Sequence, residues 1–189
     1  MAATVWRCET LTAALFAVIA SSALPLGALI AFWRPPSRRV TAALLGFASG
    51  ALITAVAFEL FEDAFRQDAW RAGIAFAAGA TIFIVADTWL DRQTEKRSAA
   101  GGAVGFALLA GVTLDGIPEN LAMGVALIEN SNPALLVAIF ASNLPEAIVG
   151  SAKMREAGLN RSRVLVIWSV TALVLAVAVK AGYGALEGG

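Results

Sequence analysis

Asp115 and Glu119 stand four residues apart, and twenty-seven residues after Asp115 the theme returns as Ser142, Asn143 and Glu146. The two stretches read Asp115-Gly-Ile-Pro-Glu-Asn120 and Ser142-Asn-Leu-Pro-Glu-Ala147, so each sets a glutamate directly after a proline. Residues four apart share one face of a helix. If the two faces meet, oxygens of Asp115, Glu119, Ser142, Asn143 and Glu146 converge. Pro118 and Pro145 lack an N–H and clash with the carbonyl four residues back, which predicts kinks. The carbonyls of Leu114 and Ala141 are then freed at the same depth. A cavity lined by so many oxygens has the chemistry of a cation site.

Both stretches lie inside otherwise apolar segments. An ionisable group at mid-bilayer costs about 2.5–3.5 kcal/mol on insertion scales, and it is retained mainly for ion or proton handling. The competing reading is structural: protonated glutamates, hydrogen-bonded to each other's helices, would only hold the register. Two prolines, two glutamates and an aspartate in matching positions favour the cation pathway.

The composition agrees with a membrane setting. Of 189 residues, 59% are hydrophobic, and the mean hydropathy is +0.75, above the usual apolar share of a soluble domain. Formal net charge is zero, which gives no footprint for nucleic acid. There is one cysteine, Cys8, and no histidine, so neither an intrachain disulfide nor a Cys/His zinc site can be built. Carboxylates, amides, hydroxyls and backbone carbonyls remain, a donor set suited to harder cations.

The elements that must position these residues are long apolar helices. A spanning helix needs roughly 20 apolar residues, and six segments qualify, over 11–32, 40–61, 72–90, 101–128, 133–152 and 164–186. The breaks are Arg34–Arg39, Glu62–Arg71, Asp91–Ser98, Glu129–Pro133 and Lys153–Arg163, all short. The expected fold is all-α: one polytopic transmembrane bundle over 1–189, with sequential helices antiparallel. The first apolar run is longer than the core of a signal peptide. Arg34, Arg38, Arg39, Arg92, Lys96, Arg97, Lys153, Arg155, Arg161 and Arg163 follow the odd-numbered helices, and only Arg7, Arg66, Arg71 and Lys180 face the other side. That asymmetry predicts cytoplasmic basic connections and both termini outside a cell membrane. Lys180 is expected to snorkel. Gly46-Phe-Ala-Ser-Gly50 is a GxxxG whose simplest use, like that of most glycines here, is packing within the bundle. The five tryptophans, Trp6, Trp33, Trp70, Trp89 and Trp168, mostly fall near the predicted interfaces.

The two proline–glutamate motifs resemble those of the ZIP family of divalent-metal transporters, in which helices 4 and 5 each carry a variant of His-Asn-x-Pro-Glu-Gly. Gly46-Phe-Ala-Ser-Gly50 is similar to the start of the family's second helix, and Ala157-Gly-Leu-Asn160 lies in the basic connection after the fifth. The resemblance places the family's helix 4 histidine on Asp115, its asparagine on Gly116 and its acid on Glu119. On helix 5 it places the histidine or glutamine on Ser142, the asparagine or aspartate on Asn143 and the acid on Glu146. It implies metal-bridging roles for Glu119 and Glu146, a homodimer, and zinc as cargo. The all-oxygen donor set leans toward Mn²⁺, Fe²⁺ or Mg²⁺. No histidine ligand is present, Gly116 has no side chain, and helix 6 offers only Ser169 and Thr171 where some members carry a carboxylate. The family has eight helices and this chain has room for six, so the resemblance implies a short form ending before helices 7 and 8.

Two further acids fit a path through such a site. Glu59 lies in the outer part of helix 2, one turn beyond Val56, where the family has a polar ligand; capping the helix end is its alternative role. Glu62 and Asp63 fit a cap better. Asp87, four residues before Asp91, lies in the inner part of helix 3 and is either an exit station or the partner of an arginine such as Arg92. The expected function is passage of divalent cations (zinc, manganese or iron) into the cytoplasm, past Glu59, between Glu119 and Glu146, and out past Asp87. No cofactor is bound permanently, and the partners are the metal ion and the bilayer. The chain has neither a P-loop nor the motifs of an intramembrane protease, so an enzyme is not expected. The alternative is a shortened relative that binds metal or a partner without moving it.

Overall fold

The computed structural model describes residues 2–98, 104–129 and 133–187. All of the long elements are helices: α1 Ala2–Trp33, α2 Arg38–Gln67, α3 Ala69–Ser98, α4 Val104–Glu129, α5 Pro133–Glu156 and α6 Arg161–Glu187. Residues 101–103, expected to open the fourth helix, and 130–132 of the Glu129–Pro133 turn lie outside the described residues.

The chain turns where local chemistry stops a helix. Pro35 and Pro36 bar continuation after α1, and Ser37 then accepts the N–H of Val40 at 3.4 Å to begin α2. Asp68 leaves the helix with extended backbone, and its carboxylate accepts the Arg71 N–H at 3.1 Å to start α3. After α5, Gly158 adopts φ +87. The N–H groups of Gly158 and Leu159 return to the carbonyls of Arg155 and Met154 at 2.9 and 3.0 Å, a Schellman closure. Asn160 then caps α6 by accepting the Arg163 N–H.

Two boundaries differ from expectation. The polar stretch 62–71 breaks the helix only at Asp68, because Glu62 and Arg66 pair one turn apart and carry α2 to Gln67. Residues 91–98, expected as a connection, continue α3 as helix to Ser98. Within α2 the backbone also widens to a π-helix over Val56–Phe61 before returning to α-helix.

The core is built from α1, α4, α5 and α6. α1 packs on α5 and α6, α4 on α6, and α2 on α5. On α1 the buried residues Ala13, Ala17, Ala20, Leu24, Ala28 and Ala31 recur at helical spacing and form a thin stripe that lets its neighbours approach. Gly27 lies against the Leu144 carbonyl and Ala147 on α5. Gly124 and Gly182 do the same reciprocally between α4 and α6, where an added Cβ would meet the carbonyls of Val179 and Leu121 respectively. Gly46 and Gly50 are different: an added Cβ would meet nothing within 4 Å, so this GxxxG does not pack the described bundle.

Trp168 also departs from the interfacial role. It is 1% exposed and central to a cluster with Leu24, Ala147, Met154, Val164 and Leu175, its ring lying over Gly150. Trp33, Trp70 and Trp89 are exposed, and the Trp6 side chain lies outside the described residues.

Five helical stretches are long and apolar enough to cross a membrane: Leu11–Trp33, Arg38–Gln67, Ala69–Leu90, Pro133–Glu156 and Arg161–Ala185. α4 is not among them over its described residues, since Asp115, Glu119 and Asn120 interrupt its apolar run. α3 is the least covered helix, with Ala72 its one buried side chain among the described residues. Ile74, Phe76, Ile82, Ile84, Val85 and Trp89 are exposed on it, a surface suited to lipid rather than water.

Candidate cation site

Both motif helices run unbroken through their prolines, α4 through Pro118 and α5 through Pro145. The missing N–H of each proline still leaves the Leu114 and Ala141 carbonyls without the usual partner four residues on. Close packing holds the two helices in place. Gly116 on α4 is buried against the Leu175 side chain of α6, and on α5 Pro145 and Ala147 are buried.

The direct link between the motifs is Ser142. Its hydroxyl donates to the Ile139 carbonyl at 3.0 Å and lies 3.5 Å from Glu119 Oε1, so one proton is shared between a close local acceptor and a long contact across the interface. Glu119 and Glu146 are both half-buried. Glu119 is within electrostatic range of Glu146 and of Asp115, and Glu146 is within range of Asp115. No ion pair to lysine or arginine relieves these three acids among the described residues. When ionised, acids held this way repel one another, and a cation between them offsets the repulsion.

The other expected residues fall around this centre. Asp115 is exposed and within electrostatic range of Asp87, itself exposed on α3. No ion pair ties Asp87 to Arg92 among the described residues, and the Asp91 side chain lies outside them. Glu59 is half-buried within the π-helical turn Val56–Phe61, which touches α5. Such turns frequently mark functional positions in helices. Asn143 is buried, and its Nδ2 meets no acceptor among the described residues.

Two features were not anticipated from the sequence. Asn120, next to Glu119, is fully buried, with Nδ2 donating to the Gly116 carbonyl at 2.8 Å and Oδ1 unpartnered among the described residues. A cavity of about 580 Å³ opens between α3 and α4, lined by Ala86, Trp89, Leu90, Leu114, Ile117 and Pro118 among others. Its walls are almost wholly apolar, so it offers a cation nothing, although Asp87 and Asp115 adjoin lining residues in sequence.

Among the described residues no three of His, Cys, Asp and Glu form a group able to hold a metal. A cation here would therefore have to draw on serine, asparagine and backbone oxygens as well as carboxylates. Compared with known protein families, characterised proteins and solved structures, the chain matches none.

Proposed function

We propose that this chain moves divalent metal cations across a cell membrane into the cytoplasm, in the manner of the ZIP transporters its motifs resemble. The observation that carries the reading is the meeting of Glu119 with Ser142 across two proline-bearing helices, with Glu146 and Asp115 in electrostatic range. Glu119 and Glu146 bind the ion, Ser142, Asn143 and Asp115 contribute oxygens, and freed backbone carbonyls replace part of its water shell. Glu59 serves the outer approach and Asp87 the inner exit. The five apolar spans supply the multi-pass frame, and the excess of basic residues after the odd-numbered helices argues for termini outside.

Binding at mid-depth, between two helices that each carry a proline, suits alternating access, in which one part of the bundle rocks against another around a fixed site. The α2–α3 pair, lightly packed against the rest, is the part free to move. The step breaks no covalent bond and uses no resident cofactor. Oxygen donors favour Mn²⁺ or Fe²⁺, while the motif resemblance keeps Zn²⁺ in the set. Uptake by proteoliposomes that saturates with Mn²⁺ or Zn²⁺ concentration is the expected result. Metal binding without flux would instead make the chain a membrane metal-binding protein, and absence of both would end the proposal.

A further inference from the structure

Four buried polar atoms have no hydrogen-bond partner among the described residues: Asn120 Oδ1, Asn143 Nδ2, Ser151 Oγ and Trp168 Nε1. A buried polar group left unmatched is costly, so each needs an explanation. They fall into two pairs by depth. The Glu119–Ser142 contact sets the register of antiparallel α4 and α5. Asn120 and Asn143 each lie one residue from it, within about one helical turn of each other in depth. Ser151 is eight residues beyond Asn143 on α5, about 12 Å lower.

The upper pair therefore belongs to the depth of the carboxylates. Asn120 is 0% exposed and Asn143 2%. Asn120 Nδ2 is tied to the Gly116 carbonyl one turn back on its own helix, which turns Oδ1 away from that carbonyl and into the interior. Gly116 and Gly124, one turn either side, both pack on α6, so Asn120 sits on the stripe of α4 that faces the bundle centre. Its free atom is an acceptor, and no described residue brings it a donor. The carboxylates at this depth do not complete a ligand group by themselves among the described residues. An amide oxygen is a hard donor of the kind that Mn²⁺, Mg²⁺ or Ca²⁺ takes alongside carboxylates.

We propose that Asn120 is a cation-binding residue, its Oδ1 supplying a neutral oxygen to the ion held by Glu119 and Glu146 and extending the site from α5 toward α6. This rests on the cation-transport reading above. Asn143, at the same depth, has an Nδ2 with no acceptor among the described residues, a donor that suits a water of the ion's shell.

The test is metal binding by the whole chain in detergent, titrated with Mn²⁺ and with Zn²⁺ alone, paired with the unfolding temperature of the metal-free protein. Asn120→Leu keeps the volume and removes the orphan acceptor. The expected result is Mn²⁺ binding weakened by about tenfold or more, with the metal-free unfolding temperature unchanged or raised. Asn120→Asp keeps an oxygen, and it is expected to retain Mn²⁺ binding at or above the wild-type affinity. Binding by Asn120→Leu equal to wild type would overturn the assignment while leaving the transport reading intact. Loss of binding in both variants together with a lowered unfolding temperature would make Asn120 a packing residue and overturn it as well. No binding by the wild-type chain would remove the transport reading and this inference with it.

Discussion

Ser142 Oγ lies 3.5 Å from Glu119 Oε1, a side-chain contact that joins α4 to α5 where their two motifs align. The contact is long because the same hydroxyl already serves the Ile139 carbonyl at 3.0 Å. A serine that divides its proton in this way can turn its lone pairs toward an arriving cation without leaving a buried donor stranded.

From that geometry, Ser142→Ala should weaken Mn²⁺ binding modestly, by about 1 kcal/mol or fivefold in affinity. Glu119→Gln and Glu146→Gln should each reduce binding far more, since each removes a charge and an anionic ligand. In a double-mutant cycle, Ser142→Ala should cost less in the Glu119→Gln background than alone. Additive losses would mean that Ser142 and Glu119 do not act on the same ion.

The prolines give a second expectation. Pro145→Ala restores an N–H that can bond the Ala141 carbonyl and regularises α5. The variant should be as stable as the parent or more so, because proline is a poor helix residue by about 3 kcal/mol relative to alanine. Uptake should fall severalfold as the carbonyl is withdrawn into the helix. Detergent unfolding and initial uptake rates, measured on the same preparation, separate the two effects. An unaltered uptake rate in Pro145→Ala would remove the carbonyl from the proposed ligand set.

Glycine substitutions test the packing. Gly124→Ala and Gly182→Ala each place a methyl against a backbone carbonyl across the α4–α6 interface. Backbone cannot step aside as a flexible side chain can, so each should lose about 1–3 kcal/mol of stability. Gly46→Ala and Gly50→Ala enter open space and should stabilise α2 by about 0.5–1 kcal/mol. Denaturant titration in detergent reads both. Destabilisation by Gly46→Ala in a preparation that is also dimeric would place that stripe at a contact between copies.

The sequence made the helices legible but not all of their ends. Apolar runs mark where a bilayer can hold a helix, whereas the hydrogen-bond ladder ends where a cap or proline stops it. That is why Glu62–Gln67 and 91–98 read as connections yet fold as helix. Asp115, Glu119, Ser142 and Glu146 stood out because ionisable and polar groups four apart on apolar helices have few other uses. Asn120 did not, since its burial follows from Gly116 and Gly124 docking on α6, which spacing along one helix does not reveal. Trp168 was misplaced for the same reason: Gly150, on another helix, opens the room its ring fills. The π-helical turn around Glu59 has no compositional mark in Val56-Ala-Phe-Glu-Leu-Phe61.

The most direct test of the central claim is cation flux. The 189-residue chain and its Glu119→Gln/Glu146→Gln variant, each shown to be folded, are reconstituted in liposomes side by side. Uptake of Zn²⁺, Mn²⁺, Fe²⁺, Cd²⁺ and Mg²⁺ is then followed. Saturable uptake of at least one of these ions by the parent, reduced in the double variant to the level of protein-free liposomes, is the predicted result. No flux above protein-free liposomes from the folded parent, or equal flux from the double variant, would contradict it.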